Sequence, residues 1–169
     1  SVATADLVSV TAVVEPSDSK YRAGCELLGY EPPRRGTVAE LCQEPLDGIV
    51  IASPNHTHLE NLELLATKSM PVVLEKPLDA TFEKICDVVR FSEAYGGPMI
   101  VDHVMRYAPI IAKAKDLLDA GAIGRLCSAT FVQNCYYGPR LFHGFRRTMA
   151  GGGGMYIEKA THDFDLMLY

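Results

Sequence analysis

Residues 46–60 read LDGIVIASPNHTHLE, and the turn inside this stretch decides the fold. LDGIVIAS is apolar on both of its faces, as a strand covered on both sides must be, and it breaks at Pro54. THLENLELLATKS follows with leucines at 59, 62 and 65, the spacing of one helical face. A buried strand running straight into an amphipathic helix is the first half of a parallel βαβ unit.

The same alternation extends in both directions. PVVLE at 71–75 predicts a strand, ATFEKICDVVRFSEAYG a helix, PMIVDH at 98–103 a strand, and APIIAKAKDLLDAGAIG a helix stopped by Gly121 and Gly124. Upstream, the valine-rich ADLVSVTAVVE predicts a strand over 7–14. PSDSKYRAGCELLG predicts a helix with Ser17 as cap and Gly29 as stop, and TVAELCQE a short helix capped by Thr37. Short connections throughout imply an α/β, doubly wound parallel (Rossmann-like) sheet. Beyond Gly124 the pattern changes. RLCSATFVQNCYY at 125–137 alternates like a half-exposed strand, followed by a polar aromatic loop, the glycines 151–154 and a last helical pattern. The reading divides the chain into 1–124, a dinucleotide-binding part, and 125–169, the start of a substrate domain.

With 169 residues and 48% hydrophobic content, the chain can bury one domain's core. A formal charge of −5 with no basic stripe excludes nucleic acid as the main partner, and Arg34-Arg35 and Arg146-Arg147 read as solvated surface pairs. Five cysteines without a CxxC pair fit buried free thiols in a reducing compartment. No apolar run approaches the roughly 20 residues that span a bilayer, and no leader is visible, so the expectation is a soluble, cytoplasmic protein with no membrane partner.

Ligands of open α/β sheets sit at the carboxyl ends of the strands. That rule selects Glu15, the stretch 53–58, Glu75-Lys76-Pro77 and Asp102-His103. Glu15 could accept bonds from a ribose or simply open a turn before Pro16. Lys76, partly desolvated at the sheet edge, could donate a proton, or pair with Glu75 on the surface. His56 and His58 have the His-x-His spacing of some metal hydrolases, but the chain is too short for the barrel that hosts such pairs and no metal is expected. Glu158 and His162, four apart, would share a helical face that Asp165 and Tyr169 extend, with the carboxylate orienting the imidazole for acid–base work, or they form an ordinary surface pair.

Taken in order, VVEP, IASPNHTHLE, VVLEKPL, VMRYAP with AKDLLDAGAIGRL, and GGGGMYIEKATHDFDLM resemble the glucose–fructose oxidoreductase / inositol dehydrogenase (Gfo/Idh/MocA) family along nearly the whole chain. EKP alone is common; EKP after a strand-Pro-Asn-x-x-His, with a later glycine run and downstream histidine, is fairly specific. The resemblance implies NAD(P)-dependent transfer of hydride between nicotinamide and a hydroxyl carbon of a sugar or polyol. It makes Glu15 the ribose-binding acid and favours NAD over NADP. Ser53, Pro54, Asn55 and His58 would line the nicotinamide half, together with the Glu75, Lys76 and Pro77 edge. Lys76 would touch the substrate hydroxyl, with a cis Lys76–Pro77 bond, and His162 would be the general acid/base. Glu158 stands where the family has aspartate. The resemblance further implies a homo-oligomer built through a sheet that relatives carry further on, and a specificity loop over 134–148. No glycine phosphate loop precedes ADLVSV, so the chain reads as incomplete at both ends. A non-catalytic ligand-binding or regulatory member, or an inactive fragment, is the alternative. The glycines 151–154 follow a loop rather than a strand, so they are expected to let backbone approach cofactor or substrate, not to cradle phosphate.

Overall fold

A computed structural model describes residues 7–132 and 144–169. Its centre is a parallel sheet of β1 (Ile49–Ile51), β2 (Val72–Leu74) and β3 (Met99–Val101), in that order. Ile49 pairs with Val72 and Val72 with Met99, so the three strands end level with one another. Helix α3 (His58–Glu63) connects β1 to β2, and α4 (Phe82–Ala94) connects β2 to β3. Parallel neighbours need such crossovers, and the strand–helix alternation of the sequence supplied them.

Leu62 and Leu65 are fully buried and pack with Ile51, Val72, Leu74, Val88 and Tyr95, with Leu59 against the edge of that core. Leu59 and Leu62 therefore lie on the inner face of α3, and Leu65 continues the same packing in the turn just after it. Burying each such side chain contributes about 1.5–3 kcal/mol. The hydroxyl of Tyr95 donates to the carbonyl of Met70 at 2.8 Å and ties the end of α4 to the entry of β2.

Helix ends follow local chemistry. Ser17 caps α1 (Asp18–Leu28), and Gly29 ends it in the left-handed region at φ 77°. Thr37 Oγ1 accepts from Glu40 N–H ahead of α2 (Val38–Leu41), while Glu40 accepts from Gly36 N–H, a reciprocal cap. Helix α5 (Pro109–Asp119) begins on a proline. Three short helices close the chain: α6 (Met149–Gly152), α7 (Gly154–Glu158) and α8 (Ala160–Leu168).

Two expected strands are not found among the described residues. Over 7–14 only Val13 bridges to Arg34, with Val13 N–H on the Pro33 carbonyl at 3.0 Å and Arg35 N–H on the Val13 carbonyl at 2.8 Å. Leu7 and Val8 stand 80% and 72% exposed. Valine-rich sequence favours extended backbone, but a strand also needs a neighbour along its length, and among the described residues 7–14 meets only a turn. Residues 125–132 likewise form no strand and have no sheet partner among the described residues; 133–137 lie outside them. Cys42 is the one thiol of the four described that is buried; Cys25 and Cys86 are half-buried and Cys127 is exposed. No helix among the described residues is long and apolar enough to cross a membrane.

Candidate active site

The level ends of β1, β2 and β3 bring 53–58, 75–77 and 102–103 to one edge, and α6 to α8 fold back against it. Lys76 Nζ donates to the backbone carbonyl of Glu158 at 2.9 Å and lies 3.9 Å from its carboxylate. The Lys76–Pro77 bond is cis, and Lys76 N–H donates to Glu75 Oε2 at 3.1 Å. Burial lowers the ammonium's pKa, and the charges of Lys159 and Arg146 add to this against the pull of Glu158 and Glu75. A lysine so placed gives up a proton more readily than one in water.

Glu158 is nearly buried, and its carboxylate is spent on protein groups. Asn55 Nδ2 donates to Oε2 at 2.7 Å and Arg146 Nε to Oε1 at 2.9 Å. Burial alone would raise its pKa; the bonds from Arg146 and Asn55 and the charge of Lys76 outweigh it and hold the carboxyl below its ordinary value. Glu158 and His162 do not share one helix, because α7 ends at Glu158 and Lys159 breaks the path with φ −116°. The carboxylate that the spacing assigned to His162 is thus turned to Asn55 and Arg146 instead. Glutamate, one methylene longer than aspartate, reaches both.

His162 has its pKa lowered, first by burial and then by Lys76, His103 and Lys159, with Asp165 opposing. Its ring stands edge-on to His103, centroids 6.2 Å apart. Asp165 takes a two-pronged bond from Arg106, at 2.8 and 2.6 Å, and lies 3.6 Å from Nε2 of His103.

The other expected contacts divide into two groups. Asn55 and His58 are buried with their side chains committed internally. Asn55 Nδ2 also reaches the Gly152 carbonyl at 3.2 Å. In His58, Nε2 faces the Ser53 carbonyl at 3.0 Å and Nδ1 the carbonyls of Pro77 and Leu78 at 3.0 and 3.2 Å. Both ring nitrogens of His58 thus face backbone carbonyls, and His56 Nδ1 is 3.3 Å from the Gly151 carbonyl. His58 is instead a cross-tie between the ends of β1 and β2. Ser53 Oγ accepts from Thr57 and Asn61, and Pro54 precedes the turn at 55–57. Glu15 Oε1 accepts from Ser17 N–H at 2.8 Å, at the bridge rather than at a full strand.

Gly151, Gly152 and Gly153 are buried, and each meets protein where a side chain would stand. A Cβ on Gly151 would come within 2.3 Å of the Phe145 carbonyl oxygen, on Gly152 within 2.9 Å of Arg146 Cα, and on Gly153 within 2.5 Å of the Ala80 carbonyl oxygen. Their absence of side chains lets α6 press against 145–146 and residue 80, which brings Arg146 to Glu158. Arg146 and Arg106 were missed by sequence reasoning: the pair Arg146-Arg147 gives no sign that one member turns inward, and Arg106 stands alone in VMRYAP, far in sequence from Asp165. His103 was flagged only by its strand-end position.

Residues 2–103 match the family described as oxidoreductase family, NAD-binding Rossmann fold (GFO_IDH_MocA). That is well over half of the chain, and the protein belongs to this family. It is similar to the rhizopine catabolism protein MocA of Rhizobium meliloti, 28% identical over 98% of this chain and 50% of that protein. It is 30% identical to inositol 2-dehydrogenase 1 of Saccharopolyspora erythraea over 94% of this chain and 45% of that one. In fold it matches the myo-inositol 2-dehydrogenase structure from Lactobacillus plantarum, TM-score 0.76 at 22% identity, covering 95% of this chain and 48% of that chain. The chain thus spans about half the length of the relatives it matches.

Proposed function

We propose that the whole protein is an NAD(P)-dependent oxidoreductase that moves hydride between nicotinamide and a hydroxyl-bearing carbon of a sugar or polyol. The observation that carries this is the meeting of Lys76 with Glu158, beside His162, at the carboxyl edge of a parallel sheet. Relatives named for inositol, sugar and anhydrosugar oxidoreduction support the substrate class.

The residues fit the nicotinamide half of a dinucleotide: Ser53 and Pro54 through their backbone, the Glu75–Lys76–Pro77 edge, and a lysine of lowered pKa directed inward. When bound, the nicotinamide supplies the hydride acceptor. In this reading Lys76 holds the substrate oxygen and stabilises charge developing on it, and His162 takes the hydroxyl proton. Asn55 and His58 act indirectly, by shaping the loop that would meet the cofactor. Glu158 sets the position of Lys76. Residues 1–124 form the cofactor half and 125–169 open the substrate half.

NAD is favoured over NADP because Glu15 would repel a 2′-phosphate, while the nearby Arg34 is engaged by Asp18 and by the Glu15 carbonyl. The test is a screen of cyclitols, aldoses and anhydrosugars with each dinucleotide, followed by the absorbance of reduced nicotinamide. Reduction of NAD by at least one of them, absent in Lys76→Met, is the expected result; no reduction with any would overturn the reading.

A further inference from the structure

His58 is fully buried, and its ring stands among three backbone carbonyls. Nδ1 lies 3.0 Å from the Pro77 oxygen and 3.2 Å from the Leu78 oxygen, and Nε2 lies 3.0 Å from the Ser53 oxygen. A backbone carbonyl has lone pairs and no hydrogen, so it only accepts. A neutral imidazole carries one N–H, and its other nitrogen is a lone pair. In either neutral tautomer, one ring lone pair would therefore face a carbonyl lone pair at hydrogen-bond distance. Only the doubly protonated ring gives the carbonyls on both sides a donor.

A cation buried in this way needs an anion close by. Asp79 is also fully buried, and its bonds are to backbone N–H groups: Oδ1 accepts from Ala80 at 2.6 Å, and Oδ2 faces Leu59 N–H at 3.5 Å. Both oxygens thus face donors, as those of an ionised carboxylate do. Two ammoniums stand nearby in the chain, but each is directed to a carbonyl instead. Lys76 donates to that of Glu158 and Lys84 to that of His56 at 3.2 Å. Residues 58 and 59 meet 78 and 79 side by side, so the ring without a satisfactory neutral form adjoins the carboxylate without a bonded cation. His58 also opens α3, where the helix's own N–H dipoles oppose a positive charge. Asp79, which reaches the same turn through Leu59, offsets them.

We propose that His58 is an imidazolium with Asp79 as its buried counter-charge, and that it is a positioning residue which draws the carbonyls of Ser53, Pro77 and Leu78 onto one ring. The turn that follows β1 is thereby fastened to the loop that follows β2, one residue beyond Lys76. A neutral ring could hold Ser53 or the Pro77–Leu78 pair, but not both. The charge itself rests on the hydrogen-bond geometry alone; its service to Lys76 rests on the proposed oxidoreduction.

The test is nitrogen NMR of the whole protein with 15N-labelled histidine at neutral pH, because ring shifts distinguish a protonated nitrogen from a lone pair. Wild type should show His58 with both ring nitrogens protonated and both N–H protons slow to exchange. Ring-to-backbone correlations assign the signals, so this reading needs no variant to fold. A lone-pair nitrogen on His58 in wild type overturns the proposal. Asp79→Asn keeps an acceptor for a backbone N–H and removes the charge, so His58 should lose one ring N–H at the same pH; both retained would overturn Asp79 as the counter-charge. The amide of His58→Gln can donate to one side only, and kcat should fall about 10- to 100-fold as the two loops shift apart. An unchanged kcat would overturn the positioning role. An imidazolium without turnover of any hydroxyl substrate would uphold the charge and sink the assigned reaction. Turnover with a neutral His58 would do the reverse.

Discussion

Lys76 Nζ donates to the backbone carbonyl of Glu158 at 2.9 Å, across 82 residues of chain. A lysine from the nucleotide-binding sheet is thereby held by the last helices of the chain, and its charge falls on His162. The bond is to a carbonyl, so the position of Lys76 depends on where the α7 backbone ends rather than on a side chain that a substitution could delete.

Replacing Lys76 by methionine should abolish hydride transfer while leaving NAD affinity nearly unchanged. The long apolar stem is retained, and only the ammonium is lost. Rapid-mixing measurement of hydride transfer, beside calorimetric titration of NADH, checks both halves; wild-type-like turnover would remove Lys76 from the chemistry.

Glu158→Ala should lower thermal stability, with a cost of about 1–3 kcal/mol, because Asn55 and Arg146 lose a charged acceptor. Glu158→Gln retains an acceptor and should lose less. Glu158→Asp, shorter by one methylene, should hold one partner but not both. Differential melting of the three variants orders them, and an unchanged melting temperature in Glu158→Ala would dismiss the carboxylate as a tie.

Stability should fall on the acid side. His162 has a folded pKa below its ordinary 6.5, so between the two values the unfolded chain binds the extra proton and stability is lost as pH falls through that window. Asp165 has a folded pKa below its ordinary 3.8, so its contribution is present above that value and is lost as pH falls through the folded one. Melting temperature against pH in wild type and Asp165→Asn separates the two: the variant should keep the step below pH 6.5 and flatten the later one.

Gly153→Ala should destabilise the fold by more than about 1 kcal/mol. Its φ of 77° disfavours an L side chain, and the new Cβ would lie 2.5 Å from the Ala80 carbonyl oxygen. Gly24→Ala is the contrast: Gly24 lies inside α1 with nothing within 4 Å of an added Cβ, so alanine should stabilise by about 0.5–1 kcal/mol. Denaturant midpoints of both variants give the sign directly.

Much of the frame was legible in the residues themselves. The leucines at 59, 62 and 65, the caps Ser17 and Thr37 and the stop at Gly29 act over a few residues, and the structure contains each where the pattern put it. The apolar run before Pro54 does form β1, but it is covered on one face only: Ile51 is buried and Val50 is 67% exposed. The rule that ligand-facing groups sit at strand ends also located Lys76 and His103 on one edge.

What the tertiary structure alone decided is the pairing of charges and lone pairs within that edge. Glu158 turns to Asn55, 103 residues away, and to Arg146 rather than to His162 four residues on. The His-x-His pair becomes a cross-tie because both nitrogens of His58 meet backbone carbonyls. The valine-rich 7–14 gains one bridge instead of a strand. The physical reason is common to all three. Helical and strand periodicity are properties of neighbouring residues, whereas a buried polar group bonds whatever partner is desolvated beside it, and a strand exists only where another segment offers its ladder.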